Sequence, residues 1–158
     1  MTQAYELAIY GDYENLSKLI QQQPDSVNAV DEYGFTPLHG MGSEEHYDVV
    51  RLLIASGANV NARNVHGTMP LHLAASAEMV TLLVRSGAEI NATDDDGNTP
   101  LHISVSNRDG YEAIEQLLKM GADPTIPNKW GALPIDTARS REDNEAIALL
   151  LPFKPQTR

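Results

Sequence analysis

The hexapeptide Gly97-Asn98-Thr99-Pro100-Leu101-His102 decides the fold of this chain, because the sequence repeats it in register. Three further segments follow the same pattern: Gly34-Phe35-Thr36-Pro37-Leu38-His39, Gly67-Thr68-Met69-Pro70-Leu71-His72 and Gly131-Ala132-Leu133-Pro134-Ile135-Asp136. The prolines of the four segments lie 33, 30 and 34 residues apart. Self-similarity at a period near 33 residues is typical of a repeat protein, in which each unit packs only on its neighbours.

Each unit carries signals for the start and the end of a helix. Thr36 and Thr99 can cap a first helix, and the following proline suits the first helical position, where a missing N–H costs nothing. A glycine in the left-handed conformation ends a Leu-rich second helix at Gly57, Gly87 and Gly121. Helices this short are marginal in water alone, so the units must stack on one another.

The combination of Thr-Pro-Leu-His with a later Leu-Leu-x-x-Gly-Ala resembles the ankyrin-repeat family. The pattern runs over residues 31 to 151, and a degenerate copy precedes it, with Ala8, Gly11 and Leu16 at helix positions. This resemblance implies an all-α repeat solenoid of antiparallel helix pairs joined by short β-hairpin-like turns. It also implies that the histidine of each motif is structural and bonds near the preceding threonine and the adjoining turn.

We divide the chain into one ankyrin-repeat domain over residues 1–152 and a flexible tail over 153–158. Pro152 is expected to end the last helix. The first and the last unit serve as caps, and the five units are 1–30, 31–63, 64–93, 94–127 and 128–151.

Three departures from the pattern carry local predictions. Met69 and Leu133 replace the capping threonine, which should cost each helix about 1 kcal/mol. Gly40-Met41-Gly42 predicts a short or irregular first helix in the second unit, because glycine is a poor helix former. The third unit is three residues shorter than the second between its histidine and its Gly-Ala pair. The alternatives are a loop deletion that is merely tolerated and a functional notch against Ser76 and Ala77. Its expected flanks are residues 43–45 and 107–110.

The composition restricts the partner. Eleven Lys and Arg stand against 22 Asp and Glu in 158 residues, a formal net charge of -11. Repulsion from phosphates therefore disfavours nucleic acid and anionic membranes and favours a protein with a basic patch. No cysteine is present, and the first residues show no signal peptide. We expect a cytoplasmic chain that is monomeric on its own, although a mature chain whose signal peptide had been removed would look the same.

No pattern of catalytic or metal-binding residues accompanies the repeat. His39, His72 and His102 recur in successive units about 8–10 Å apart, too far to share one metal ion. Asp94-Asp95-Asp96-Gly97-Asn98 lacks the ligand spacing of a calcium loop. Ser104 and Ser106 lie near His102 without a nucleophile elbow. We therefore predict no enzyme activity, no metal and no cofactor.

The resemblance implies a binding surface on the concave side, formed by the turn tips and the ends of the first helices. Tyr33, Phe35 and Trp130 are anchor candidates, since aromatic residues dominate interface hot spots; the alternative is that each folds over a neighbouring tip. The candidate partner-binding residues are Tyr10, Glu32, Tyr33, Phe35, Glu44, His66, Ser76, Asp95, Asp96, Asn98, Asn107, Lys129 and Trp130.

The sequence thus predicts a module that binds one specific partner protein through this surface. The alternative prediction is an inhibitor or immunity protein that neutralises a toxin or hydrolase by covering its active surface. Both predictions rest on the repeat and on the acidic charge, and neither identifies the partner.

Overall fold

The structure is a computed structural model that describes residues 1–42, 46–107 and 110–153. Its regular elements are all helical, and no β-strand occurs within these ranges. The α-helices are α1 Gln3–Ile9, α2 Tyr13–Gln22, α3 Tyr47–Ala55, α4 Ala77–Arg85, α5 Pro100–Ser106, α6 Tyr111–Lys119, α7 Pro134–Ser140 and α8 Asn144–Leu150. Four 3₁₀ turns cover Pro24–Asn28, His39–Met41, Pro70–Leu73 and Leu151–Phe153.

The elements form two stacked rows, which confirms the all-α repeat solenoid. The first element of each unit builds an inner row, in which the turns His39–Met41 and Pro70–Leu73 lie between α1 and α5, and α7 follows. The second elements build an outer row in the order α2, α3, α4, α6 and α8. Each helix has 7 to 10 residues, too short for stability in isolation, so the stacking itself holds the helices together.

One hydrophobic core runs the length of the stack. Each outer helix buries a leucine that is only 0 to 1% exposed, and these leucines are Leu16, Leu53, Leu83, Leu117 and Leu150. Since each unit packs its apolar faces on the neighbouring units, no single unit forms a complete hydrophobic core by itself. Within the described ranges, no helix is long and apolar enough to cross a membrane.

Of the four predicted helix starts, two are confirmed, one is the start of a 3₁₀ turn and one is wrong. α5 begins at Pro100 and α7 at Pro134, while a 3₁₀ turn begins at Pro70. In the second unit the 3₁₀ turn begins only at His39, so Thr36 caps no helix there. The cause is Gly40-Met41-Gly42, because two glycines in three residues disfavour a helix; the predicted irregularity is confirmed.

The predicted helix ends are confirmed at all three glycines. Gly57, Gly87 and Gly121 have φ of 89°, 95° and 98°, the left-handed region that suits glycine. The alanine after each glycine donates to a carbonyl in the last turn, as Ala58 does to Leu53 at 2.9 Å. At the carboxyl end, α8 stops at Leu150 and a 3₁₀ turn continues through Pro152 to Phe153, so Pro152 does not itself end the helix.

The three residues missing from the third unit come from its inner element and the link that follows. α4 keeps nine residues, as α3 does, whereas the inner element is a single 3₁₀ turn. The N–H of Ala75 donates to the carbonyl of Gly42 at 2.9 Å, which joins the shortened inner elements of the second and third units. Residues 43–45 and 108–109, which include most of the expected flanks of the notch, lie outside the described residues.

The units are also tied together by a row of asparagines at the ends of the outer helices. The amide of Asn61 donates to the carbonyl of Gly87 at 3.0 Å, and its Oδ1 accepts from the N–H of Glu89 at 2.9 Å. Asn28 makes the same pair of bonds one unit earlier, to Gly57 and Asn59. The asparagines therefore hold each helix end to the next.

We expect Asn61→Ala to lower the free energy of unfolding by about 1–2 kcal/mol, because it removes both bonds between two units. Urea denaturation followed by circular dichroism measures the change. Asn144→Ala is the control, since Asn144 is exposed at the start of α8 and should tolerate alanine without loss. Equal stability of the two variants would show that these bonds merely replace bonds to water.

Candidate functional site

The four turn tips share one construction. The first residue of each tip is Asp or Asn, and its Oδ1 accepts two backbone N–H groups; at Asp94 they belong to Asp96 at 2.9 Å and Asn98 at 2.8 Å. The same two bonds measure 2.9 to 3.1 Å at Asp31, Asn64 and Asn128. A glycine with φ between 70° and 79° completes each turn: Gly34, Gly67, Gly97 and Gly131.

Backbone hydrogen bonds join the tips into one continuous surface, which we call the tip ladder (residues 31–35, 64–68, 94–98 and 128–132). The N–H groups of Val65, Asp95 and Lys129 donate to the tip before, each at 3.0 Å, and the accepting carbonyls belong to Tyr33, His66 and Asp96. Asn128 adds a side-chain bond to Asn98 at 3.0 Å. Because the links use the main chain, the spacing of the tips is independent of their side chains.

Three histidines fix the tip ladder to the inner row, as predicted from the family. At His102, Nδ1 accepts from the N–H of Thr99 at 3.1 Å, and Nε2 donates to the carbonyl of Ala132 at 3.1 Å. His39 and His72 make the corresponding bonds to Thr68 and Asn98. Burial lowers the pKa of all three imidazoles and so favours their neutral form in the folded chain.

At the two positions that lack a capping threonine, the backbone N–H donates to a side chain three residues later. The N–H of Met69 donates to Nδ1 of His72 at 3.2 Å, and the N–H of Leu133 donates to the Asp136 carboxylate at 3.0 Å. The residues before Pro70 and Pro134 therefore keep a partner for their own backbone N–H, as Thr99 does before Pro100.

The side chains considered for catalysis are engaged elsewhere. The hydroxyls of Ser104 and Ser106 donate to the carbonyls of Pro100 and His102, each at 3.0 Å, and no serine–histidine pair forms among them. Among residues 1–42, 46–107 and 110–153, no three His, Asp or Glu side chains are placed to hold a metal ion. The Asp94 carboxylate is used within its own turn.

Two of the predicted aromatic anchors stand in water at opposite ends of the tip ladder. Tyr33, on the first tip, is 56% exposed, and Trp130, on the fourth, is 71% exposed. Tyr10 is 78% exposed just after α1. Side chains this open cover little of the neighbouring tips. The charged candidates on the ladder are exposed as well: Glu32, His66, Asp95, Asp96 and Lys129.

Other predicted site residues have internal roles. Phe35 is half-buried and packs edge to face on His39, with ring centroids 5.5 Å apart at 72°. Asn98 pairs with Asn128 within the ladder. Ser76 caps α4 by accepting from the N–H of Met79 at 3.2 Å, and its hydroxyl lies 3.1 Å from that of Tyr47.

Two further predicted site residues have no internal role described. Asn107 is exposed after α5, and Glu44 lies outside the described residues.

A cleft beside the ladder was missed by the sequence reasoning. It measures about 240 Å³ and is lined by Tyr5, Phe35, His39, Gly40, Gly42 and Leu73. The signal that could have located it is Gly40-Met41-Gly42, which we interpreted only as a weak helix. A larger hollow of about 620 Å³ lies at the amino-terminal end of the stack, and its lining includes Leu19, Gln22, Gln23 and Asp25.

The negative charge of the chain is concentrated in its first 50 residues, which include five of the six residues that line this cleft. Residues 1–50 contain nine Asp or Glu and one Lys, a formal charge of -8, whereas residues 51–158 contain 13 Asp or Glu and ten Lys or Arg, a charge of -3. Most of the negative potential therefore belongs to the first third of the chain, rather than to Asp95 and Asp96.

Comparison with known proteins places this architecture. Residues 43–128, more than half of the chain, match the family model described as Ankyrin repeats (3 copies). The chain is 32% identical over 150 residues to transient receptor potential cation channel subfamily A member 1 of Homo sapiens. The aligned region covers 92% of this chain and 13% of the channel protein.

Shorter matches involve two other proteins. Ankyrin repeat protein OPG189 of Monkeypox virus is 51% identical over 47 residues, or 30% of this chain and 8% of that protein. RelA-associated inhibitor of Mus musculus is 37% identical over 71 residues, or 45% of this chain and 8% of that protein. The chain thus spans at most 13% of the length of these three relatives.

Proposed function

Because this chain belongs to the ankyrin-repeat family, we propose that it binds one specific partner protein through the tip ladder and the inner row beside it. Ankyrin repeats are in general modules for protein–protein interaction and typically have no enzyme activity. Stacked repeats also create the extended surfaces on which such modules bind.

The observation that carries this proposal is the backbone linkage of the tips. Three N–H···O=C bonds of 3.0 Å hold the four tips in register before any partner arrives. A surface ordered in advance loses little conformational entropy on binding, so more of the contact energy remains as affinity. Tyr33 and Trp130 stand exposed on this fixed frame, and residues of these two types are enriched among interface hot spots.

We expect Trp130→Ala to weaken partner binding at least tenfold, about 1.4 kcal/mol, because it removes the largest exposed aromatic side chain of the ladder. The partner is first captured from cells of the source organism and identified by mass spectrometry. Calorimetry with the purified partner then gives the dissociation constant for each variant.

Phe153→Ala serves as the matched control, since Phe153 is an exposed aromatic residue in the last 3₁₀ turn, outside the ladder. Binding that survives both Trp130→Ala and Tyr33→Ala at full affinity would remove the ladder from the interface.

An inhibitor or immunity role is the second candidate, favoured by the charge of -8 on the first 50 residues. A concentrated negative surface suits an enzyme whose active surface is basic, such as one acting on nucleic acid. The deciding measurement is the activity of the identified partner at increasing ratios of this protein. Activity abolished at one equivalent supports inhibition, and a partner that stays active supports an adaptor.

A further inference from the structure

We propose that the cleft between α1 and the Pro70–Leu73 turn receives one apolar side chain of the partner, flanked in the partner by lysine or arginine. This inference rests on the proposed function and names the element that the partner inserts. The cleft lies where the first tip meets the inner row, beside the ladder.

Neighbouring residues pack directly on the two glycines of the cleft lining, so the backbone itself forms part of the cleft wall. A Cβ at Gly40 would lie 2.9 Å from the ring of Tyr5 and from Cγ2 of Ile9. A Cβ at Gly42 would overlap the carbonyl oxygen of Leu73. Leu73 and Ile103 hold the position of Gly40 in the next two units. Among these three units, only the second lets a ring such as that of Tyr5 approach the backbone at this position.

The volume selects a single side chain rather than a small molecule. About 240 Å³ lies below the 300–1,000 Å³ typical of ligand pockets, and above the 150 Å³ of an engineered cavity that holds benzene. One leucine, methionine or phenylalanine side chain therefore fits.

The side chains of the lining favour an apolar occupant. Tyr5, Phe35 and Leu73 are half-buried, so each has apolar surface that an inserted group would remove from water. His39, the imidazole in the lining, has both nitrogens occupied, since Nδ1 accepts from Thr36 at 3.1 Å and Nε2 bonds the carbonyl of Thr68 at 3.0 Å. A polar inserted group would find no partner on this imidazole and would be desolvated at a cost.

The surroundings select basic flanking residues. Glu6 follows Tyr5 on α1 and is exposed, and Asp31 and Glu32 share the tip of Phe35. The single basic residue of the first 50, Lys18, is exposed on α2 in the outer row. Lysine or arginine beside the inserted side chain would meet negative charge there, which speeds encounter and rejects acidic segments.

Selection from a random heptapeptide library displayed on phage tests this inference without a known partner. With the full chain immobilised, enriched peptides are expected to carry Leu, Ile, Met or Phe next to Lys or Arg. A synthetic peptide of the enriched sequence is then titrated against three variants by fluorescence anisotropy. Circular dichroism melting shows that each variant is folded.

Leu73→Lys puts a positive charge at the edge of the cleft and should weaken peptide binding at least tenfold. Ile126→Lys is the matched control, because Ile126 is likewise half-buried and lies outside both the inner row and the ladder; its effect should stay below twofold. Glu6→Lys, at an exposed site, should weaken binding about threefold at low salt and less at high salt.

Several outcomes would overturn the inference: no enrichment over an uncoated surface, enriched peptides that are acidic or lack an apolar residue, or equal effects of Leu73→Lys and Ile126→Lys. Failure of the cleft is distinct from failure of the proposed function. Partner binding that is lost in Trp130→Ala but retained in Leu73→Lys overturns the cleft alone.

Discussion

The free energy of unfolding should fall as the pH is lowered from 7.5 to 5. Burial lowers the pKa of His39, His72 and His102 in the folded chain, while in the unfolded chain each titrates near 6.5. Above about pH 7.5 the imidazoles are neutral in both states and stability is flat. Below it the unfolded chain binds up to three protons that the folded chain does not, and each proton destabilises the fold by about 1.4 kcal/mol per pH unit.

Urea denaturation at pH 7.5, 6.5, 5.5 and 5.0 measures this slope. His102→Asn should lower the slope by about one proton, whatever its effect on stability at pH 7.5, because asparagine does not titrate. His66→Asn is the control for the substitution itself, since its imidazole is exposed on the second tip. Hydrogen bonds from Asn15 and Thr125 lower the pKa of the Asp12 and Asp123 carboxylates, whose contribution to stability is lost as the pH falls below about 5. A flat profile down to pH 5 would show that the histidines take up protons without loss of the tips.

Gly97→Ala should destabilise the chain by about 3 kcal/mol and Gly131→Ala by about 1 kcal/mol. The two glycines have nearly the same backbone, with φ of 78° and 76°, so both substitutions pay for a left-handed alanine. They differ in their surroundings: a Cβ at Gly97 would lie 2.9 Å from the backbone nitrogen of Lys129, whereas a Cβ at Gly131 meets nothing within 4 Å.

The difference between the two variants therefore isolates the close approach of successive tips, which alanine would force apart. Thermal and urea unfolding give both values, and Gly131→Ala is the internal control for strain. If the two variants lose the same stability, the tips can separate at no cost and the ladder is not rigid. Loss of the 3.0 Å bond between Lys129 and Asp96 should also appear as faster amide hydrogen exchange at Lys129 in Gly97→Ala.

Much of the fold could be predicted from the sequence because its signals are local. Pro100 and Pro134 begin helices through their own fixed φ, and Gly57, Gly87 and Gly121 end them through a conformation that glycine adopts without strain. The charge difference between the first 50 residues and the rest could also have been counted from the sequence, and it places the negative surface more sharply than Asp95 and Asp96 alone.

The fate of individual side chains could not be predicted in this way. Tyr33 and Trp130 hold the third position of their tips and stay in water, whereas Phe35 holds the fifth position of the first tip and packs on His39. The register separates the two positions, but which of them is covered depends on how the tip folds against the inner row, and that is a property of the tertiary structure.

The sequence by itself determined the repeat, the ends of most helices and the acidic character of this protein, because each depends on residues within a few positions of one another or on composition. Only the tertiary structure decided the tip ladder and the cleft. The cleft brings Tyr5 and Leu73 against Gly40 and Gly42 from about a full repeat away on either side. Contacts between units depend on the distance between stacked backbones, and a pattern read along one chain contains no such distance.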